Sequence, residues 1–320
     1  MASEGAPLQS STGTPSPTGQ SRSVMDRIGG GLAAWLPALP LLILSLLFLV
    51  LPTIELVVHS FNSNPTNLRF WTAEFWQGWT LEYWIDTLKS KGSVRAVVTS
   101  VRLGLICALI SLVIGGPLAW IVSRMFTGKR SVWLSLLNVS ANFGGIGLAF
   151  AYMATLGTFG MLTLIIQNTG LNFVPPEIGS FTSLVMAYEY TNVPLFVLLT
   201  LPAMAIVRGE WLEAAETCSA NRWQFWRYIG LPVLSPFLAA GCLLIFTWTI
   251  GIYGLAYALG RTASTTGELR MITLQIGLTL NTGAGKEERA YVLAVILLIM
   301  ACASLLAYRW MLRRALRWFN

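Results

Sequence analysis

The sequence predicts an all-α polytopic membrane protein with six transmembrane helices, and three observations carry that prediction. Hydrophobic residues make up 55% of the 320 residues and charged residues only 11%, well under the roughly 25% charged residues of an ordinary soluble domain. The apolar residues gather in six runs, each near the ~20 residues needed to cross a bilayer core. Thirteen Trp, many of them beside those runs, suit a membrane–water boundary. The net charge of +7 would suggest nucleic acid in a soluble protein. Beside six spans it marks the cytoplasmic side, and no nucleic-acid partner is expected.

Residues 1–30 are rich in Ser, Thr, Pro and Gly, with Arg22 and Arg27 near the end. They cannot bury enough apolar surface to fold, so a disordered cytoplasmic tail is expected. The first span, about Leu32 to Val58, is too long for a signal-peptide core and reads as uncleaved, with its N-terminus inside. Glu55 near its end reads as a snorkelling side chain, and His59, the one His, as a surface residue. Residues 59–92 are polar and aromatic, with Phe70, Trp71, Phe75, Trp76, Trp79, Tyr83 and Trp84. Residues 31–93 therefore combine the first transmembrane helix with an outer interfacial segment. Basic residues are too sparse among these rings for base stacking.

The second span, about Val94 to Val122, holds Gly115, Gly116 and Pro117, which can kink a helix. Arg124, Lys129 and Arg130 follow, so this loop lies inside. The third span, about Val132 to Leu156, carries Asn142, Gly144, Gly145 and Gly147 at its middle, where small residues let helices approach closely. Residues 157–180 form an outside loop. The fourth span, about Phe181 to Val207, contains Tyr188, Glu189, Tyr190, Asn192 and Pro194.

A polar stretch, 208–232, returns to the inside. The fifth span is about Ser235 to Leu259. The outside segment 260–288 holds a short apolar run, Met271 to Leu280, that rests at the surface or re-enters. The sixth span, about Arg289 to Trp310, leads to a basic cytoplasmic tail, 311–320, with Arg313, Arg314 and Arg317. Residues 94–310 thus form a five-helix core. The Lys/Arg bias between loops is modest, strongest near the span ends, and puts both termini in the cytoplasm. Cys107, Cys242 and Cys302 fall in apolar runs and Cys218 in the polar stretch; all four read as small core residues.

The stretch 208–232 carries the chemistry. Glu210, Glu213 and Glu216 recur every third residue, on or near one helix face. Ala214 and Ala215 leave the backbone approachable. Ser219-Ala220-Asn221 breaks the pattern, and Asn221 with Gln224 three residues on can cap a second helix. Trp223, Phe225, Trp226 and Ile229 give that helix an apolar face, and Pro232 is expected to stop it. The prediction is a helix–turn–helix with a shape suited to a groove on a partner; an amphipathic interfacial segment is the plainer reading.

This stretch resembles the EAA loop of the permease subunits of ABC importers, a motif that runs Glu-Ala-Ala, three residues, Gly, then an aromatic-rich segment ending in Leu-Pro. Glu213-Ala214-Ala215 and Leu231-Pro232 match it, and Ser219 departs from its usual Gly. The resemblance covers roughly 94–310 and includes Pro194. It implies a type I ABC importer permease fold in a bacterial inner membrane. It implies that Glu213 meets a basic group on a cytoplasmic ABC ATPase dimer, that Ala214 and Ala215 allow close contact, and that Ser219, Ala220 and Asn221 form the turn. ATP and Mg²⁺ would sit on that ATPase. A second permease and an extracytoplasmic binding protein would complete the assembly.

For the solute path, Glu189 is the sharpest candidate, because an ionisable group inside a span is expensive and faces a cavity or a partner. The other reading puts it at the outer helix end, in interfacial water. Tyr188, Tyr190 and Asn192 surround it, and Asn142 either lines the path or bonds a neighbouring helix. The segment Trp79–Trp84 and the extra first helix resemble the spermidine/putrescine branch, and a polyamine would suit Glu189; that branch also takes up ferric iron, thiamine and phosphonates. The chain holds no GxxxxGK[ST], Ser-His-Asp set or metal cluster, so no catalytic, metal or cofactor residue is assigned. A secondary transporter or channel subunit would need a charge relay or an internal repeat, and a non-transporting scaffold would need no polar groups inside its spans.

Overall fold

The computed structural model describes residues 39–62, 78–169, 175–262, 270–281 and 287–316. The N-terminal tail, the rings at positions 70, 71, 75 and 76, parts of 260–288 and residues 317–320 lie outside them. The described residues contain six helices or helix pairs long and apolar enough to cross a membrane: Leu39–Phe61, Lys91–Ser123, Gly145–Asn168, Phe181–Met204, Arg222–Gly251 and Glu288–Arg314. No β-strand occurs among them.

In chain order the helices are α1 (Leu39–Phe61), α2 (Glu82–Lys89), α3 (Lys91–Ser123), α4 (Thr127–Asn142), α5 (Gly145–Leu156) and α6 (Met161–Asn168). Then follow α7 (Phe181–Met204), α8 (Gly209–Thr217), α9 (Arg222–Gly251), α10 (Gly254–Thr262), α11 (Ile272–Asn281) and α12 (Glu287–Leu316). The described residues fall into two compact units, divided after Ile54. In the first, α1 shows lipid-type side chains, Leu41, Ile43, Leu47 and Phe48, all exposed.

In the second unit α3 packs against α7 and α9, α9 against α12, α4 against α7, and α5 against α10. Pro117 lies inside α3 without ending it. Gly115 makes room for a neighbouring helix: a Cβ there would stand 2.8 Å from the Phe196 ring, and one at Gly241 of α9 would stand 3.0 Å from it. Phe196 of α7 is fully buried between the two, so small residues bring three helices together. Arg289 Nε donates to Asp86 Oδ2 at 2.9 Å, tying α12 to α2. His59 is buried rather than on the surface, its Nε2 3.7 Å from Glu55 Oε1 and its ring beside Tyr291. Cys107 is buried and Cys242 half-buried, but Cys218 and Cys302 are exposed and are not core residues.

The third span differs most from expectation. A continuous helix over 132–156 is not found; α4 ends at Asn142, and the chain restarts as α5 at Gly145. Gly145 takes φ +69°, a conformation that costs a side chain ~1–2 kcal/mol. Added Cβ atoms at Gly144, Gly145 and Gly147 would meet nothing within 4 Å. Gly144 and Gly145 turn the backbone, and Gly145 also allows a close approach, since a Cβ at Gly254 of α10 would stand 3.4 Å from its Cα. The expected loop 157–180 contains α6. The fifth span breaks in the same way, at Ile252 and Tyr253, between α9 and α10. The short run at 271–280 becomes α11, packed on α12 and α3.

Of four apolar clusters among the described residues, two are large. One joins Leu103 and Cys107 of α3, Tyr152 of α5, Leu184 and Tyr188 of α7, and Leu255 of α10. The other joins Val122 of α3, Leu137 of α4, Val197 and Leu201 of α7, and Phe225 and Leu234 of α9. Along α3 and α7 the residues between these two cores include Ser111, Glu189 and Asn192.

Candidate functional site

Two places hold the predicted residues: the loop 208–232 and the polar layer between the cores.

In the loop, α8 opens at Gly209 with Glu210 in its first turn, where a carboxylate favours the helix dipole. Glu210, Glu213 and Glu216 are all exposed. Ala214 is exposed, whereas Ala215 is half-buried and packs toward the core with Trp211 and Leu212. The helix ends in a Schellman arrangement: Ala220 N–H donates to Ala215 O at 3.0 Å, and Ser219 N–H to Glu216 O at 3.0 Å. Ser219 is the left-handed residue that motif requires, with φ +59°, the one non-glycine at positive φ among the described residues. Asn221 then caps the next helix, and its N–H donates to Gln224 Oε1 at 2.8 Å, completing a capping box. Glu216 and Arg222 face each other across the corner at 3.5 Å.

Pro232 does not stop the second helix. A π turn, Trp226–Gly230, precedes it, with Leu231 N–H bonded to Trp226 O, and α9 runs on to Gly251. The wider turn makes room for a proline ring that would clash in a regular helix. The expected aromatic face is split, because residues two apart on a helix point to different sides. Phe225 is 2% exposed and enters the core. Trp223 and Tyr228 are 69% and 71% exposed. Trp223 is thus an outward anchor beside the Ser219 corner, visible only once the helix register is known.

In the polar layer, Ser111 Oγ of α3 donates to Glu189 Oε2 at 2.9 Å, with the Cys107 thiol beside it. Glu189 Oε1 is buried and has no hydrogen-bond partner among the described residues. Fully buried Tyr188 donates to Ile252 O at 3.1 Å, at the break between α9 and α10. Fully buried Asn192 donates from Nδ2 to Thr249 Oγ1 at 3.0 Å, and its Oδ1 has no partner among the described residues. Tyr190 is exposed and meets Phe143 edge-on, centroids 6.2 Å apart. Asn142 is exposed and bonds back to Asn138 O within its own helix. The candidates therefore do not form one pocket: Glu189 faces α3, Asn192 faces α9, Tyr188 faces a helix break, and Tyr190 lies with the end of α4. Ser111 and Thr249 went unsingled in the sequence, because a lone hydroxyl in an apolar run carries no signal there. The described residues bring together no group of three or more His, Cys, Asp and Glu.

No protein-family model matches the chain. It is 26% identical over 175 residues to the sulfate transport system permease protein CysT of Escherichia coli, covering 54% of this chain and 61% of that protein. It is 26% identical over 167 residues to the spermidine/putrescine transport system permease protein PotB of Haemophilus influenzae, covering 52% and 58%. It is 25% identical over 220 residues to the molybdenum transport system permease protein ModB of E. coli, covering 68% and 93%. The match thus spans less than two thirds of the first two relatives. These relatives serve different solutes, so similarity does not single out the spermidine/putrescine branch. Among solved structures, a chain of a bacterial alginate ABC transporter bound to its alginate-loaded periplasmic protein superposes with a TM-score of 0.67 at 17% identity, over 88% of this chain and 95% of that one. A second structure of an alginate-importing ABC transporter gives 0.68 at 17% identity, over 92% and 98%.

Proposed function

We propose that this chain, which has the ABC transporter permease fold and is similar in sequence to importer permeases, is the membrane-spanning permease subunit of a bacterial ATP-driven importer. The observation that carries this reading is the exposed helix–turn–helix of 208–232. Its outward groups are three carboxylates, a tight Ser219 corner and Trp223, and it lies between two spans. A rigid, prominent corner joined to two long helices is suited to take a push from a partner and pass it on. The partner in this reading is a cytoplasmic ABC ATPase dimer carrying ATP and Mg²⁺, with Glu213 opposite a basic group. The loop and both chain termini then lie in the cytoplasm. A second permease completes the pathway, and an extracytoplasmic binding protein delivers the solute.

The solute is a small cation, with a polyamine favoured. The support is Glu189: a carboxylate inside a span whose Oε1 lacks a partner suits a positively charged group and opposes an oxyanion. Uptake into vesicles holding the assembled transporter tests both parts. ATP-dependent spermidine uptake, not inhibited by sulfate or molybdate, is expected. ATP-dependent uptake of sulfate or molybdate with none of spermidine would overturn the cation assignment and keep the importer. Uptake that proceeds without ATP would overturn the importer itself.

A further inference from the structure

The loop 208–232 is joined covalently to α7 and α9, yet the end of α3 holds it at both ends. Arg124, just past the last residue of α3, donates from Nη2 to Val207 O at 2.7 Å. Val207 is buried and immediately precedes Arg208, the cap of α8. A Cβ at Gly209 would stand 3.3 Å from Arg124 Nη1, so the guanidinium also lies against the first residue of α8. Its central carbon sits 4.2 Å from the centroid of the Trp120 ring. Trp120 in turn meets Trp226 edge-on, centroids 4.6 Å apart and planes at 80°. Trp226 opens the π turn where the loop rejoins the bundle.

The geometry points to Arg124 as a positioning residue that carries displacement of the 208–232 loop into α3. This rests on the proposed ATP-driven function. A charged donor on a carbonyl is stronger than a neutral one, and a guanidinium over an indole adds a cation–π attraction. Only the flat guanidinium makes both contacts at once; a lysine ammonium makes one or the other. The same α3 carries Ser111, thirteen residues back and so about 20 Å along the helix, where it holds Glu189. Through Arg124, a push on the loop reaches the polar layer along one continuous helix as well as through α7 and α9.

The test uses the full transporter with its ATPase, reconstituted in vesicles, in a chain whose four cysteines are replaced by Ala. Spin labels are placed at Val113→Cys on α3 and Leu306→Cys on α12, both positions being exposed, and ATP is the only probe added. The expected result is an ATP-dependent change in the label distance that Arg124→Gln abolishes while ATP hydrolysis stays within about twofold. Should Arg124→Gln fail to assemble, Arg124→Lys decides, with the change reduced to about half. An undiminished change in the assembled variant overturns the inference, as does the absence of any change before Arg124 is altered. Equal loss of hydrolysis and of movement also overturns it, by marking Arg124 as merely structural. Absence of an ATPase from the complex before Arg124 is altered overturns the importer reading itself, and is distinguished by being seen without any variant at Arg124.

Discussion

The 208–232 loop satisfies its backbone from within itself, whereas the polar layer is satisfied only across helices. In the loop, Ala220, Ser219 and Asn221 find acceptors three to five residues away. In the layer, Ser111 and Glu189 are 78 residues apart and Asn192 and Thr249 are 57 apart. The loop leaves its charged side chains outward; the layer leaves buried acceptors, Glu189 Oε1 and Asn192 Oδ1, without partners among the described residues. A self-capped corner keeps its shape wherever it moves. A layer held by pairwise contacts between helices changes when those helices shift, because each contact belongs to two elements. The first suits a handle and the second suits a path.

The largest effect that would break this contrast is at Glu213. Glu213→Arg reverses a charge on the exposed face without touching a cap, so the chain should fold normally while ATPase co-purification drops about 30-fold or more, the ~2 kcal/mol of an interface hot spot. Undiminished recovery of the ATPase would remove Glu213 from the interface. Next comes Glu189→Gln, which preserves shape and can still bond Ser111. Uptake should fall about tenfold, ~1.4 kcal/mol in the barrier, with the complex intact on a sizing column; unaltered uptake would make Glu189 a structural residue only.

Smaller still is Ser219→Gly. Releasing a side chain from φ +59° should stabilise the loop by about 1 kcal/mol, read as slower amide exchange at Ala220, whereas Ser219→Val should accelerate it. Exchange unchanged in both variants would deny that the corner stores strain. The smallest is Glu216→Gln. Its pair with Arg222 is exposed on both sides and should contribute less than about 0.5 kcal/mol; a large loss of transport without loss of stability would instead assign Glu216 to the partner surface.

The same contrast explains what was legible in the sequence. Capping is a matter of neighbours three to five residues apart, so the Asn221–Gln224 box could be read directly, while Ser219 stands out only against the Gly usual in the motif it resembles. The existence of the six apolar spans was legible from composition, but their interruptions were not. Gly144 and Gly145 carry the hydropathy signal of a continuous helix, and only φ +69° at Gly145 shows that they turn the chain. Pro232 reads as a helix stop unless the π turn before it is known. Arg124 reads as a positive-inside charge, because Val207 lies 83 residues further on. Tyr188, Tyr190 and Asn192 read as one cluster with Glu189 because they are near it in sequence; on a helix they point to different neighbours, and the structure separates them.

The central claim is that the Ser219 corner is where an ATPase docks, and Cys218 offers a direct measurement. It is a native exposed thiol in that corner. A short bifunctional thiol-to-amine cross-linker applied to membranes holding the assembled transporter should join Cys218 to a nucleotide-binding ATPase, identified by mass spectrometry, and the Glu213→Arg variant should lose that adduct. Cross-linking of Cys218 only to lipid or to a membrane-embedded chain, with the ATPase present but never joined, would contradict the account.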